Sequence, residues 1–219
     1  MKKLIIFDLD GTILDTLPTI AYYGNLALSE NGFDTIEEKK YKDFLGFGRV
    51  ELIHRMLKHL GKDNDVNYEN TARVYDDAYL KNTLYLTVPY DGIRDMLSAL
   101  LGMGCSLAVL SNKPHDATLP TIEGFFPDTF LRVWGKKESY PPKPHPESAL
   151  AICSELGIAP EDTIFIGDTE VDIQTGKNAG FVTIGVTWGF RERSELEETS
   201  ADYIVSSPPE ITEIVKNTL

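Results

Sequence analysis

The sequence predicts an α/β protein, a doubly wound, Rossmann-like parallel sheet with a bundle of helices inserted after its first strand. Three observations predict it. Short runs recur that are apolar at successive positions, as strands covered by helices on both faces must be. Stripes of apolar residues at helical spacing lie between these runs. The stretch from Asp15 to Thr87 breaks the alternation, holding three helical patterns in succession and no convincing strand.

In chain order, Leu4 to Phe7 is the first strand, and Asp15 or Thr16 caps a helix with Pro18 in its first turn. That helix carries Leu17, Ile20, Ala27 and Leu28 on its apolar face. Leu52, Ile53, Met56, Leu57 and Leu60 form a second stripe, and Val74, Tyr75, Ala78 and Tyr79 a third. Beyond the insertion, Ile93, Met96, Leu97, Leu100 and Leu101 make the helix that leads into a strand at Ser106 to Leu110. Phe130 to Trp134 follows as a strand, then the rigid loop Pro141-Pro142-Lys143-Pro144-His145-Pro146 and a helix on Ala149, Leu150, Cys153 and Leu156. Three further strands are expected at Thr163 to Ile166, Val182 to Val186 and Tyr203 to Val205. No internal repeat or low-complexity tract interrupts this order.

The 219 residues suit one large domain or a domain with an insertion. With 21 Lys and Arg against 34 Asp and Glu, the net charge is −13, which repels nucleic acid and anionic lipid at long range. Neither is an expected partner, although local cations can still hold a small anion. The basic start Met1-Lys2-Lys3 is followed by an apolar run that stops at Asp8, too short for a signal peptide. No run approaches the ~20 residues of a membrane span, so a cytoplasmic protein is expected. Cys105 and Cys153 lie in apolar stretches without metal-binding spacing and read as reduced, buried thiols. The same lack of ligand spacing sets aside His54, His59, His115 and His145.

The chemistry gathers at the strand ends. The first strand runs into Asp8-Leu9-Asp10-Gly11-Thr12. Alternation puts Asp8 and Asp10 on one side, and Gly11 allows a sharp turn. Two carboxylates so close call for a cation or a shared proton, and Mg²⁺ prefers oxygen ligands. A Ca²⁺ loop of the EF-hand type would need a bidentate Glu farther along, where this sequence enters a helix instead. The second strand delivers Ser111, Asn112 and Lys113, a hydroxyl, an amide and a cation. Lys143 lies in the proline-bound loop, and Gly167-Asp168-Thr169-Glu170-Val171-Asp172 follows the next strand, with Asp172 one helical turn after Asp168. Each is weak alone, but together they describe a site that handles phosphoryl groups.

These motifs, with Asn178-Ala179-Gly180 and Gly185-Val186-Thr187-Trp188-Gly189-Phe190, resemble the haloacid dehalogenase-like phosphatases, most closely their phosphoglycolate phosphatase branch. The resemblance implies a catalytic core of residues 1–14 and 88–219 and a mobile α-helical cap of residues 15–87. It implies that Asp8 is the nucleophile, that Asp10 protonates the leaving oxygen and later activates water, and that Mg²⁺ is the cofactor. Asp8, Asp168 and the main-chain carbonyl of Asp10 would hold the metal, with Asp172 and Thr12 behind them. Ser111, Asn112 and Lys143 would bind the phosphoryl group, Lys143 also offsetting the charge of Asp8 and Asp168. Arg49, in Gly46-Phe47-Gly48-Arg49, is the candidate for the leaving group. The expected partner is a small phosphorylated metabolite, phosphoglycolate favoured.

Other readings compete. A sugar-phosphate mutase or a pyrophosphatase of the same superfamily would use the same core, and the mutases also use a cap Arg. Dehalogenase chemistry needs neither Asp10 nor a metal. A phospho-accepting receiver module, which is no enzyme, would be near 120 residues and lack the helical insertion. A silent binding protein would have lost a catalytic side chain, and none is missing. The oligomeric state is not legible in the sequence.

Overall fold

The computed structural model describes residues 3–218; Met1, Lys2 and Leu219, and with them part of the stretch weighed against a signal peptide, lie outside it. In chain order the elements begin with β1 (Leu4–Phe7), β2 (Leu14–Asp15), α1 (Leu17–Glu30), a 3₁₀ segment (Glu38–Phe44), α2 (Arg49–His59), α3 (Asp65–Tyr79) and β3 (Val88–Pro89). There follow α4 (Ile93–Gly102), β4 (Ser106–Pro114), α5 (His115–Phe125), β5 (Arg132–Lys136) and α6 (Glu147–Leu156). The chain ends with β6 (Thr163–Gly167), α7 (Glu170–Ala179), β7 (Val182–Val186), α8 (Arg193–Glu197), β8 (Tyr203–Val205) and α9 (Pro208–Thr218).

Six strands form one sheet in the order β5-β4-β1-β6-β7-β8, with every pairing parallel. Alternation along β1 sends Ile5 and Phe7 into a core shared with α4 and α9, and Leu4 and Ile6 into one shared with α6. All four are fully buried, and each large side chain so placed contributes about 1.5–3 kcal/mol. The chain steps from β1 through β4 to β5 on one side, then returns to β6 on the other. A crevice therefore opens at the carboxyl ends of β1, β4 and β6.

Two boundaries differ from expectation. The third strand of the sheet is Arg132–Lys136 rather than Phe130 to Trp134, because β4 sets the register by pairing Ala108 with Arg132. Phe130 instead packs edge-on against Phe7 and Phe126. The strand expected to stop at Leu110 continues to Pro114, with a register shift between these two residues. That irregularity carries Ser111, Asn112 and Lys113.

The insertion has a hydrophobic core of its own, built on Leu28, Tyr41, Ile53, Met56, Tyr75 and their neighbours. Its 3₁₀ segment was not expected. Nor was the antiparallel ribbon at its neck, where Leu14 pairs with Pro89 and Asp15 with Val88; strands of two residues are too short to show a period. Thr19 Oγ1 donates to Tyr85 O at 2.6 Å and lies 2.7 Å from Thr87 Oγ1, tying the two neck segments together. Thr16 takes the cap position of α1, but the side chain that accepts from it is Asp15, whose Oδ1 lies 3.2 Å from Leu17 N. Among the described residues no helix is long and apolar enough to cross a membrane.

Candidate active site

Asp8 follows β1 directly, its backbone N–H donating to Ile166 O on β6 at 2.9 Å. Gly11 turns the chain at a φ of +81°, and a Cβ there would collide with the Asp168 carboxylate. Asp168, at the tip of β6, is fully buried and accepts from Thr12 Oγ1 at 3.0 Å and from Phe190 N at 2.8 Å. Asp172 lies in the first turn of α7 and closes a capping box: its Oδ2 accepts from Thr169 N at 3.0 Å and from Thr169 Oγ1 at 2.7 Å. Its Oδ1 accepts from Lys143 Nζ at 2.6 Å. The same ammonium lies 3.0 Å from Asp8 Oδ1, at ion-pair distance but out of alignment, so that this buried oxygen has no hydrogen-bond donor.

Oxygens of Asp8, Asp168 and Asp172 all lie within 4.8 Å of one another. Three buried carboxylates thus crowd together, and only Asp8 and Asp172 share the Lys143 ammonium. Burial raises the Asp8 carboxyl to about 7; Lys143 opposes the rise, and Asp172 and Asp10 add to it. Burial, with Asp172 and Asp8, pushes Asp168 well above the carboxylate range despite its donors Phe190 and Thr12. Burial alone would lower Lys143, but Asp172 and Asp8 outweigh it and hold the ammonium above its ordinary value. An all-oxygen donor set, negative in excess and with an orphaned Asp8 oxygen, fits a hard divalent cation such as Mg²⁺.

The other half of the site is a chamber of about 170 Å³ between core and insertion, floored by Asp8 and Asp10 and walled by Arg49, Tyr75, Tyr79 and Lys113. Ser111 and Asn112 line it as well. Ser111 Oγ accepts from Lys113 N at 3.3 Å. The Asn112 side chain is a brace: its Oδ1 accepts from Lys143 N at 2.9 Å, and its Nδ2 donates to Lys143 O and to Gly46 O of the insertion, both at 3.1 Å. These bonds use both hydrogens of the amide and leave the backbone N–H of Asn112 as its donor to a phosphoryl oxygen.

The structure therefore brings Asp8, Asp10, Thr12, Arg49, Ser111, Asn112, Lys143, Asp168 and Asp172 to one crevice. One pairing is corrected. Lys143 was expected to offset Asp8 and Asp168, but its second partner is Asp172, because the first turn of α7 brings that carboxylate closer. Asp10 turns its carboxylate to Lys113 rather than into the acidic cluster. Arg49 begins α2, where Asp76 at 3.4 Å and the Tyr68 hydroxyl at 3.5 Å hold its guanidinium. Sequence reasoning missed Tyr75, Tyr79 and Asp76. Tyr75 and Tyr79 sat in a helical stripe and read as plain core; a hydroxyl on each was the one available signal.

Residues 5–186 match the family described as haloacid dehalogenase-like hydrolase. The phosphoglycolate phosphatase of Pasteurella multocida is 30% identical over 220 residues, covering 98% of each chain. That of Salmonella typhimurium is 31% identical, covering 93% of this chain and 88% of its own. The crystal structure of a candidate phosphoglycolate phosphatase from Lactobacillus delbrueckii subsp. bulgaricus superposes with a TM-score of 0.93 at 30% identity, covering 98% of this chain and 99% of that one. CbbY of Rhodobacter sphaeroides, crystallised with phosphate, shares the fold with a TM-score of 0.81 at 22% identity, covering 96% of each chain.

Proposed function

The chain belongs to the haloacid dehalogenase-like hydrolases and is a phosphatase of that family, and we propose that it hydrolyses the phosphate monoester of a small metabolite through an aspartyl-phosphate on Asp8. The observation that carries this reading is the buried Asp8 at a strand tip, with Lys143 beside it and a chamber opening above. An Asp8 oxygen attacks phosphorus in line, the leaving oxygen takes a proton from Asp10, and the alcohol departs. Water activated by Asp10 then cleaves the acyl phosphate and frees Asp8. Ser111 and Lys143 hold the phosphoryl oxygens. The enzymes of this reaction supply accelerations of up to about 10²¹, roughly 29 kcal/mol, while one oxyanion donor is worth about 3–4 kcal/mol. Several charged groups must therefore act together, and the crevice assembles them.

Mg²⁺ is the proposed cofactor, held by the Asp8 and Asp168 carboxylates and the Asp10 carbonyl, with Asp172 fixing Lys143 from behind. When bound it would neutralise the cluster and draw charge from the phosphoryl oxygens. Phosphoglycolate is the favoured substrate, since the relatives above carry its name and since Arg49 lines the chamber where a carboxylate on the leaving group would lie.

Steady hydrolysis of p-nitrophenyl phosphate that needs Mg²⁺ and stops on chelation is the expected result, lost in Asp8→Asn. Near wild-type turnover in that variant would remove the nucleophile. Saturating Mg²⁺, at about a hundred times its Kd, should stabilise the fold by about 2.7 kcal/mol and raise Tm by roughly 5–10 °C. Asp168→Asn should lose that rise.

A further inference from the structure

A buried lysine from the core and a buried tyrosine from the insertion meet at the Asp10 carboxylate. Lys113 Nζ donates to Asp10 Oδ1 at 2.9 Å, to Oδ2 at 3.3 Å, and to the Tyr79 hydroxyl. Its side chain is 5% exposed, and Tyr79 is 4% exposed. An ammonium has three hydrogens, and these three acceptors can take them all.

Neither partner is free to wander. Tyr79 ends α3, its ring stacked on Tyr75 at 5.3 Å and meeting the edge of Tyr23 at the same separation. Lys113 sits in β4 where the strand loses register with β5, and it lines the chamber. Asp10 is thereby set apart from the acids around it: Asp8, Asp168 and Asp172 cluster together, while both Asp10 oxygens face the ammonium on the chamber side.

We propose that Lys113 and Tyr79 are positioning residues for Asp10. The ammonium turns the Asp10 carboxyl away from the acidic cluster and toward the leaving oxygen, and the Tyr79 hydroxyl, supplied by the insertion, holds the ammonium in place. Asp10 is then aimed only while the insertion is docked on the core, which couples proton delivery to closure. This rests on the reading of Asp10 as the acid for the leaving group. In the step concerned, the Asp8 oxygen bonds to phosphorus as the bond from phosphorus to the leaving oxygen breaks. The electron pair stays on that oxygen, which takes the carboxyl proton of Asp10.

The test compares two substrates that share a ring. Phenyl phosphate has a basic leaving group that needs a proton; 2,4-dinitrophenyl phosphate does not, and kcat/KM reports this first step for both. Tyr79→Phe, which keeps the ring packing, should lower kcat/KM about tenfold on phenyl phosphate, and Lys113→Met about a hundredfold. Both should stay within about twofold of wild type on the dinitro ester. The double variant should be no slower than Lys113→Met alone, because Tyr79 acts through Lys113. Equal losses on both substrates, or no loss on phenyl phosphate, would overturn the proposal, provided Asp10→Asn is itself selective for phenyl phosphate. A non-selective Asp10→Asn would overturn the reading of Asp10 as the leaving-group acid, and the proposal with it.

Discussion

Gly11 does two things at once. Its positive φ is one that L side chains adopt only at a cost of about 1–2 kcal/mol, and its missing Cβ leaves the space that Asp168 fills. Gly11→Ala must therefore strain the turn and push aside a carboxylate of the acidic cluster. The expected outcome is a loss of about a hundredfold in kcat on p-nitrophenyl phosphate, the scale on which catalytic sites respond to shifts near 1 Å, together with a lower Tm. An unchanged kcat would show that Asp168 has room to spare. The turn is legible from the glycine itself. The clearance is not, because Asp168 stands more than 150 positions away and the sequence holds no sign that the two meet. The Asn112 side chain is a similar case: an amide beside a serine reads as a ligand, and only the approach of Gly46 and Lys143 makes it a brace.

Among the elements, a single carboxylate staples the last strands in addition to their own ladder. Asp202, just before β8, accepts from Thr183 N and Thr183 Oγ1 on β7, each at 2.8 Å, and from Lys177 Nζ near the end of α7 at 2.6 Å. Partial burial would raise its pKa, but the donated bonds from Lys177 and Thr183 outweigh that and hold it below the usual carboxylate value. A carboxylate with a depressed folded pKa stabilises the protein above its unfolded pKa, near 3.9. That contribution is lost as pH falls through the lower, folded value. Asp202→Asn should therefore cost about 0.5–1 kcal/mol at pH 7, a solvent-screened figure, and the gap from wild type should close as pH drops below about 4. Urea melts at pH 7, 5 and 3.5 would check it; a gap independent of pH would mean the charge is irrelevant. The strands here were legible as apolar runs, whereas the staple was not, since Asp202 lies in a polar connection like many others.

At the scale of the whole molecule, the insertion and the sheet have distinct hydrophobic clusters; Ala117 and Phe190 of the core reach into that of the insertion, and polar contacts add a clasp. Arg191, in the loop after β7, donates from Nη1 to Lys42 O at 2.8 Å and from Nη2 to Leu45 O at 3.1 Å, while Glu170 holds its Nε at 3.0 Å. Lys42 Nζ returns a bond to Gly189 O at 3.2 Å. Bonds from a charged donor are worth about 1.5–3 kcal/mol each, so losing the pair in Arg191→Ala should cost the docked state about 3 kcal/mol, roughly a hundredfold in its population. A KM raised at least fivefold and a larger radius of gyration by X-ray scattering are the expected outcomes. Unchanged values of both would show that the apolar contacts alone keep the lobes together.

The sequence by itself determined the apolar strands of the main sheet, the stripes of α1 to α4 and α6, and the acids that follow the strands, because periodicity and turn chemistry act over a few residues and leave a local record. Tertiary structure alone decided the partners: Lys143 on Asp172 rather than Asp168, Asp10 on Lys113, and Tyr79 reaching across from the insertion. Those pairings depend on distances of a few ångströms between segments far apart in the chain, and such distances are set by how sheet and insertion pack, which no short stretch of sequence encodes.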